Sequence, residues 1–286
     1  MSDVLWAHIV QPWYRRGLLL LVAIGLLLGV DAVFIEPARL VVNRQELRLP
    51  NWPSELSGMK VALLSDLHVG SPHWDLSRLR ELVQQVNAEQ PDMVLLGGDY
   101  QVNGVWFGKH VEIEPIAQEL GQLRAPLGVL SVLGNHDWWN DAGKVRAAFE
   151  AHGITVLDDE VRRLHFRGKS VCLLGVRDET ERKRSARREL ELALPGMPLL
   201  VLMHEPDLFS DFDERATLTL AGHTHGGQVD LPFFGRRIVP SRYGARYAAG
   251  HIVENGRHLF VTTGVGTSII PVRFRVPPEI ALLTLR

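Results

Sequence analysis

Five short polar motifs stand out in this sequence, because each closely follows an apolar run and carries aspartate, asparagine or histidine. Oxygen and imidazole ligands without any thiolate are typical of a site for Mn²⁺, Fe or Zn²⁺ rather than of a structural zinc cage. An imidazole that holds no metal can instead move protons, since its pKa lies near neutrality. The candidate residues are Asp66, His68, Asp99, Asn135, His136, His204, His223 and His225.

The composition narrows the chemistry further. The chain has 286 residues, a formal net charge of −2 and one cysteine, Cys172. One cysteine excludes an internal disulfide framework and a cysteine-based zinc cage, and its apolar neighbours indicate a small buried side chain rather than a nucleophile. The near-neutral charge provides no basic field for polynucleotides, so we expect no nucleic-acid partner.

The elements that must position these residues alternate between strands and helices from residue 60 onward. Apolar runs predict strands, and apolar residues at helical spacing predict helices near 76–86, 113–123 and 142–152. The motifs then lie at the carboxyl ends of predicted strands, where ligand sites form in open α/β sheets. The predicted strands span 61–64, 93–96, 129–133, 154–157, 163–166, 170–175, 199–203, 217–221, 259–263 and 279–285.

The spacing within two motifs suggests how the side chains converge. Asp66 and His68 are two residues apart, as are His223 and His225. If the strand conformation continues through each motif, alternate side chains share a direction, and each pair would face one centre. Glycines beside the motifs would let the backbone approach the ligands closely.

The motifs D-x-H, GGD, GNHD, a lone histidine and GHTH occur here in the order found in the calcineurin-like phosphoesterase family, over about residues 60–270. The chain therefore resembles that family, and most of all its membrane-anchored YkuE- and YaeI-like branch. The resemblance implies an α/β fold of two packed β-sheets flanked by helices, which is a four-layer sandwich. It also implies hydrolysis of a phosphate ester or pyrophosphate bond.

The resemblance further implies a role for each residue. One cation would have four ligands, namely Asp66, His68, Asp99 and His225. The other would also have four, namely Asp99, Asn135, His204 and His223. Asp99 would then bridge the cations, and His136 matches the histidine that the family places beside the leaving group. Two cations about 4 Å apart can hold both oxygens of an in-line displacement and acidify water toward neutral pH. We expect two divalent ions, with Mn²⁺ favoured over Fe and Zn²⁺.

Two residues beside the motifs have more ordinary interpretations. Asp137 either orients His136 or caps the helix that follows, and we favour the cap. Tyr100 follows Asp99, where some members of the family carry an iron-bound tyrosine. Its motif context differs here, so we predict no ligand role for Tyr100.

The first 35 residues differ from the rest of the chain. Arg15 and Arg16 precede an apolar run over 17–35 that only Asp31 interrupts. A buried core helix is disfavoured because nothing polar marks a solvent face, which leaves a signal peptide or a membrane anchor. We favour a retained anchor, because residues 30–32 form a poor cleavage site. The aromatic residues that would lie at the membrane interfaces are Trp6, Trp13, Tyr14 and Trp52.

The chain is thus expected to divide into four segments. These are an N-terminal flank over 1–16, the anchor over 17–35, a connector over 36–59 and the phosphoesterase domain over 60–286. The anchor would place the protein in the inner membrane of the cell. Its direction stays open, because arginines occur in similar numbers before and after the run.

Apolar residues in predicted loops bear on the substrate. They either pack within the loops or form an apolar rim for acyl chains or the bilayer. Some members of the branch hydrolyse UDP-2,3-diacylglucosamine in lipid A synthesis, so a lipid-linked substrate is the leading hypothesis. The alternatives are an anchored phosphatase or phosphodiesterase for soluble substrates and a non-catalytic scaffold, and the complete ligand set disfavours the scaffold. The loop residues are Trp106, Phe107, Trp138, Trp139, Phe233, Phe234, Ile269 and Ile270.

Overall fold

In the computed structural model, which describes residues 3–181 and 186–286, the strands form two six-stranded sheets. The first sheet contains, in spatial order, β1 (Val41–Leu47), β12 (Glu279–Leu285), β2 (Met59–Leu64), β3 (Met93–Leu96), β4 (Val129–Ser131) and β5 (Thr155–Val156). Strands β2 to β5 are mutually parallel, so their carboxyl ends lie at one edge of the sheet.

The second sheet also has parallel strands in its interior, and in it the pairing at each edge is antiparallel. Its strands are, in spatial order, β10 (Gly250–Glu254), β11 (Arg257–Val261), β9 (Leu218–Ala221), β8 (Leu199–Leu202), β7 (Lys169–Gly175) and β6 (Glu160–Phe166). The sequence analysis predicts each strand of both sheets except β1 and β10.

Side-chain alternation along the strands divides the apolar residues among three cores. In β2, Val61 and Leu63 pack between the two sheets. The alternate residues Ala62 and Leu64 pack on the other face, against helices. Strand β8 alternates in the same way between the inter-sheet core and the outer face of the second sheet. Three cores separate four layers.

Helices form the outermost layer on one side only. The first sheet is covered by α2 (Leu76–Ala88), α3 (Ile113–Leu120) and α5 (Ala142–Ala151), which match the predicted helices. The outer face of the second sheet is covered by 3₁₀ turns over 186–192, 206–211 and 244–247. The predicted fold, an α/β sandwich of two packed sheets flanked by helical layers, is confirmed.

The N-terminal apolar segment forms a long helix, α1 (Asp3–Val30), which continues through a π-helical turn and a 3₁₀ turn to residue 38. Within the described residues, one helical stretch, Trp13–Ala38, is long and apolar enough to cross a membrane. Its most apolar part is entirely exposed, so it is not the core helix of the folded domain. Trp13 and Tyr14 are exposed on it, whereas the side chain of Trp6 lies outside the described part of the chain.

The junction, as we call residues 31–38, is fastened to the folded domain by hydrogen bonds to its carbonyl groups. Three donors are side chains on or just before α2, and the fourth is a backbone N–H late in the chain. The donors are Arg273, His73, Trp74 and Arg78, which contact the carbonyl oxygens of Ala32, Val33, Pro37 and Ala38 at 2.9, 2.9, 3.1 and 2.7 Å respectively. Anchor and domain are therefore joined by a structured segment.

The segment predicted as a connector, 36–59, contributes strand β1, which pairs along its whole length with β12. Leu47 and Leu49 from this segment are buried in the inter-sheet core. Part of the segment thus belongs to the folded domain. Trp52 is half-buried against the same core, and its position at a membrane interface stays a prediction.

Candidate metal centre

The carboxyl ends of the parallel strands from both sheets meet in one place. The first sheet contributes the residues that follow β2, β3 and β4, and the second contributes those that follow β8 and β9. All eight side chains singled out in the sequence come together there. A short helix, α4 (Asn135–Asn140), which the sequence analysis did not predict, carries two of them.

Asp66, His68 and His225 form a first group, with ligand atoms all within 4.8 Å of one another. The Nε2 atoms of His68 and His225 are 3.2 Å apart, and Nε2 of His225 lies 3.5 Å from Oδ1 of Asp66. All three residues are buried. Two imidazole nitrogens and a carboxylate oxygen that converge on one point form an arrangement suited to a transition-metal cation.

Asp99, His204 and His223 form a second group of the same size. Nε2 of His204 is 3.2 Å from Nδ1 of His223, and Asn135 places its Oδ1 3.1 Å from the former and 3.2 Å from the latter. The amide oxygen of Asn135 therefore adds a fourth ligand-type atom at this point, where the family resemblance implies the second cation.

Asp99 lies between the two groups. Its Oδ2 is 3.6 Å from Nε2 of His68 in the first group and 3.3 Å from Nε2 of His204 in the second. Its Oδ1 accepts a hydrogen bond from the backbone N–H of His136 at 3.0 Å, which fixes the carboxylate plane. This is the position that a bridging carboxylate requires.

His136 lies beside Asp99 and is more open to solvent than most of the cluster. Its Nε2 is 3.9 Å from Oδ2 of Asp99, and its ring meets that of His68 edge to face at 4.9 Å. The ring of Trp139, itself 60% exposed, lies 4.8 Å away on another side. The side chain of His136 thus lies between the carboxylate of Asp99 and the solvent.

The protonation states of the buried histidines suit a metal ion. Burial lowers the pKa of His68 to about 4 and that of His223 to about 3. Burial also holds the pKa of His225 well below its usual range. These imidazoles are neutral at physiological pH, so each can offer a lone pair, as metal binding requires.

The carboxylates of the cluster attract positive charge. Burial raises the pKa of Asp66 to about 6. For Asp99 and His204, burial opposes the charge on each, but their mutual attraction keeps the pKa of Asp99 well below and that of His204 well above the usual values. A cation beside Asp99 would supply that positive charge and release the proton of His204. The residues present therefore fit divalent metal ions.

The ligand backbones adopt a conformation that the sequence analysis did not foresee. Asp66, His68, Asp99, His223 and His225 all have positive φ, between 40° and 69°. The strands do not continue in extended form through the motifs, so the expectation of alternation is wrong. His223 and His225 consequently point into different groups, whereas Asp66 and His68 still share one.

Glycines allow the motif loops to touch. A Cβ on Gly134 would lie 2.4 Å from Oδ1 of Asp99, and a Cβ on Gly222 would lie 2.5 Å from Oδ2 of Asp66. Both distances are shorter than non-bonded atoms tolerate, so these positions require glycine. The expected close approach of backbone and ligand is present at both.

Asp137 joins two of the ligand loops. Its Oδ2 accepts hydrogen bonds from the backbone N–H groups of Asp99 at 2.8 Å and Gly134 at 2.9 Å, and its Oδ1 accepts from Tyr100 N–H at 3.1 Å. Asp137 thus lies in the first turn of α4 and binds the N–H of its N-cap, Gly134, whereas the predicted helix, α5, is capped by Asp141, so the prediction that Asp137 caps that helix is wrong. The contact with Asp99 adds a positioning role that the motif did not reveal.

Two further contacts settle the geometry around the cluster. Nδ1 of His204 lies 2.7 Å from the carbonyl oxygen of Gly97, which directs Nε2 toward Asp99. The hydroxyl of Tyr100 is buried and lies 2.7 Å from both Oγ of Ser131 and the carbonyl oxygen of Val132, away from the candidate ligands. Tyr100 is thus a core residue, in agreement with the absence of a predicted ligand role.

Arg273 is the main supporting residue that the sequence analysis missed. It is fully buried, and its guanidinium donates to four backbone carbonyls at 2.5 to 3.3 Å. Burial lowers its pKa to about 10, so it stays charged. Its apolar neighbours in the sequence hint at burial, but nothing there reveals the acceptors. These are the carbonyl oxygens of Thr263, Gly264, Gly266 and Val276, in a loop that packs against Asp66 and His68.

Comparison with known families gives one clear match. Residues 59–254, more than half of the chain, match the model of a family described as calcineurin-like phosphoesterase. The matched range contains all eight residues of the cluster.

Comparison with individual proteins gives two bacterial relatives of similar length and a longer animal relative. The uncharacterized metallophosphoesterase YkuE of Bacillus subtilis is 30% identical over 258 residues, which cover 89% of this chain and 88% of the relative. Phosphodiesterase YaeI of Escherichia coli is 31% identical over 242 residues, which cover 83% and 86%. A Danio rerio protein named transmembrane protein with metallophosphoesterase domain is 29% identical over 258 residues, which cover 84% and 56%.

Proposed function

The chain belongs to the calcineurin-like phosphoesterase family and is a metal-dependent phosphoester hydrolase, and on this basis we propose that it holds two cations and acts on a lipid-linked substrate at a membrane. The observation that carries the two-cation proposal is the position of Asp99, whose Oδ2 faces an imidazole of each ligand group. A single-metal site would need only one of the two ligand groups and no carboxylate between them.

The proposed ligand sets follow the two groups. The first cation takes Asp66, His68, Asp99 and His225, and the second takes Asp99, Asn135, His204 and His223. Mixed imidazole and carboxylate ligands suit Mn²⁺, Fe and Zn²⁺, of which we favour Mn²⁺. When bound, such cations polarise the phosphoryl group and lower the pKa of water.

The chain's own residues supply the remaining functions. His136 can donate a proton to the departing oxygen, because its Nε2 borders the cluster and its ring is partly open to solvent. Asp137 fixes the loops of Asp99 and Gly134, so that Asp99 holds its place while charge develops on the phosphoryl oxygens.

The membrane part of the proposal rests on α1. Its exposed apolar surface, and a relative named a transmembrane protein, support an anchor over 17–35 that places the 60–286 domain at the inner membrane. The junction supports retention over cleavage, because a cut near Val33 would remove the contact between Ala32 and Arg273.

A retained anchor predicts how the protein fractionates. Full-length protein should sediment with membranes and stay there through a high-salt wash, because apolar insertion is not screened by ions. Fractionation followed by N-terminal sequencing checks this. A mature N-terminus near Val33 would show that the segment is a cleaved signal.

The substrate part of the proposal rests on exposed apolar loops around the metal centre. Phe107, Phe233 and Ile269 are 85%, 105% and 66% exposed, and their neighbours Trp106, Phe234 and Ile270 are exposed as well. Trp138 differs, because it is half-buried against the core beneath the first sheet. The exposed residues could receive the acyl chains of UDP-2,3-diacylglucosamine or a similar lipid pyrophosphate.

An acylated substrate should therefore be preferred. Burying about four CH₂ groups is worth about 3 kcal/mol, or roughly 100-fold in kcat/KM. We expect that ratio between UDP-2,3-diacylglucosamine and its deacylated counterpart in matched detergent. A double change, Phe233→Ser with Phe234→Ser, should raise KM for the lipid about tenfold and leave a nitrophenyl phosphodiester unaffected, whereas Val253→Ser should change neither.

The soluble-substrate alternative makes the opposite prediction. A relative named a phosphodiesterase supports phosphodiester hydrolysis without naming a lipid. Equal kcat/KM for acylated and deacylated substrates would favour that alternative and leave the metal chemistry standing.

A further inference from the structure

The anchor cannot swing freely about the domain. The junction carbonyls are held both by residues that follow the first metal motif, including His73 and Trp74, and by Arg273 behind the cluster. Phe34 and Ile35 lie exposed on the junction, 61% and 54%, as a continuation of the apolar surface of α1. The bilayer surface that α1 leaves must therefore lie close to this part of the domain.

An apolar rim extends from the junction around the metal centre. We define it as residues on three loops that are all at least 60% exposed, namely Trp106, Phe107, Phe233, Phe234, Ile238 and Ile269. Exposed apolar residues scattered singly are ordinary, but a contiguous set marks an interaction surface.

Backbone hydrogen bonds make the rim continuous with the junction. Trp106 N–H donates to the carbonyl of Ile269 at 2.9 Å, which joins two of the loops. Phe274 N–H donates to the carbonyl of Gln228 at 2.9 Å, which joins the third loop next to Arg273. The side chain of Gln228 bonds the backbone of the Ile269 loop as well. Every loop of the rim is thus tied, directly or through one neighbour, to the residue that contacts Ala32.

Three of the six rim residues, one on each loop, also adopt an unfavourable backbone conformation. Phe107, Phe233 and Ile269 have φ of 62°, 67° and 60°. Positive φ is rare for bulky or β-branched residues and is unfavourable for them. A loop that needed only to turn in water would favour glycine or asparagine there. Two costs together, exposure and strain, indicate that these tips are used for contact with an apolar phase.

Cationic residues accompany the rim. Lys109, Arg237 and Arg275 are exposed on the same three loops. Aromatic and aliphatic tips with adjacent lysine and arginine are the composition of surfaces that enter the headgroup region of anionic membranes.

We propose that the rim inserts into the leaflet from which α1 emerges toward the domain, so that the metal centre opens onto the headgroup layer of that leaflet. The proposal rests on the membrane anchor of the proposed function and adds the orientation of the domain. The loops that carry the rim also contact or follow the metal motifs, since Gly264 and Gly266 pack against Asp66 and His68 just before Ile269. A lipid phosphate would then reach the cations without leaving the bilayer surface.

Site-directed labelling can measure this directly, because the one native thiol, Cys172, is buried. Single variants Phe107→Cys, Ile269→Cys, Leu20→Cys and Val253→Cys of the full chain would carry a nitroxide label. The protein would be reconstituted in vesicles of phosphatidylethanolamine and phosphatidylglycerol. Leu20 reports on α1, and Val253, exposed on β10, is the matched control. Relative accessibility to oxygen and to a water-soluble nickel chelate gives the depth of each label.

The expected result is that the labels at Phe107 and Ile269 favour oxygen over the chelate, as the label at Leu20 does, while the label at Val253 favours the chelate. Rim labels that are open to the chelate, with Leu20 still protected, would overturn the docking and leave the anchor intact. Exposure at all four positions would overturn both. Protection at the rim that disappears as protein is diluted in lipid would identify a second copy of the chain as the occupant and overturn the proposal. None of these readings depends on turnover, which is followed separately with a soluble ester.

Discussion

Replacing Asp99 with asparagine should abolish nearly all hydrolysis and remove both metal ions. In Asp99→Asn the retained oxygen can still accept from His136 N–H, and the backbone contact with Asp137 is unchanged, so we expect the fold to persist. The new NH₂ group would face His68 and His204 as a donor where a cation needs a shared anionic oxygen. Removing a single electrostatic contact costs about 10²–10³ in rate, and this change affects both cations, so the loss should exceed about 10³-fold.

Elemental analysis alongside turnover checks this expectation. Asp75→Asn is the matched control, because it removes one exposed carboxylate from the N-cap of α2, where asparagine caps equally well. It should retain metal content and activity. Two ions per chain in Asp99→Asn, together with normal turnover, would contradict the bridging role.

His136→Ala should lower kcat by about 10²–10⁴-fold, which is the usual contribution of a general acid, while metal content stays near that of the unaltered protein. The loss should shrink for leaving groups such as nitrophenolate, which depart without a proton. Measuring kcat across a series of esters whose leaving groups differ in pKa tests this. His136 also lies within reach of His68 and Asp99, so loss of one metal ion from His136→Ala would indicate that His136 is a metal ligand. An equal loss of kcat for every ester in the series would contradict its role as a general acid.

The sequence predicted the composition of the site well but not its local geometry. Eight polar residues at the ends of apolar runs were enough to identify the cluster, because parallel strands bring their carboxyl ends together. The split of His223 and His225 between two groups depends on left-handed backbone at both positions, and no periodicity reveals that. The resemblance to a family assigned the two histidines to different cations, which agrees with their positions in different groups, whereas the argument from strand alternation placed them together.

The supporting residues were harder to predict, because their partners are backbone groups. Asp137 binds N–H groups of two separate loops, and Arg273 binds carbonyls in a third. When two side chains pair, the sequence contains two complementary residue types that indicate the contact. When a side chain pairs with the main chain, the sequence shows only one of the two partners. The contacts of the junction could not be predicted for the same reason, because every residue type carries a backbone carbonyl.

The left-handed conformation of the ligand residues has a consequence for how this chain is maintained by selection. At Asp66, His68, Asp99, His223 and His225 the fold alone would favour glycine, which adopts positive φ freely. Side chains there cost about 1 kcal/mol each or more, a sizeable fraction of a stability of about 5–15 kcal/mol. A lineage freed from hydrolysis would gain stability by losing these residues one at a time. The presence of all five indicates that selection for metal binding still acts on the chain, whereas no such selection would act on a protein kept only as a scaffold.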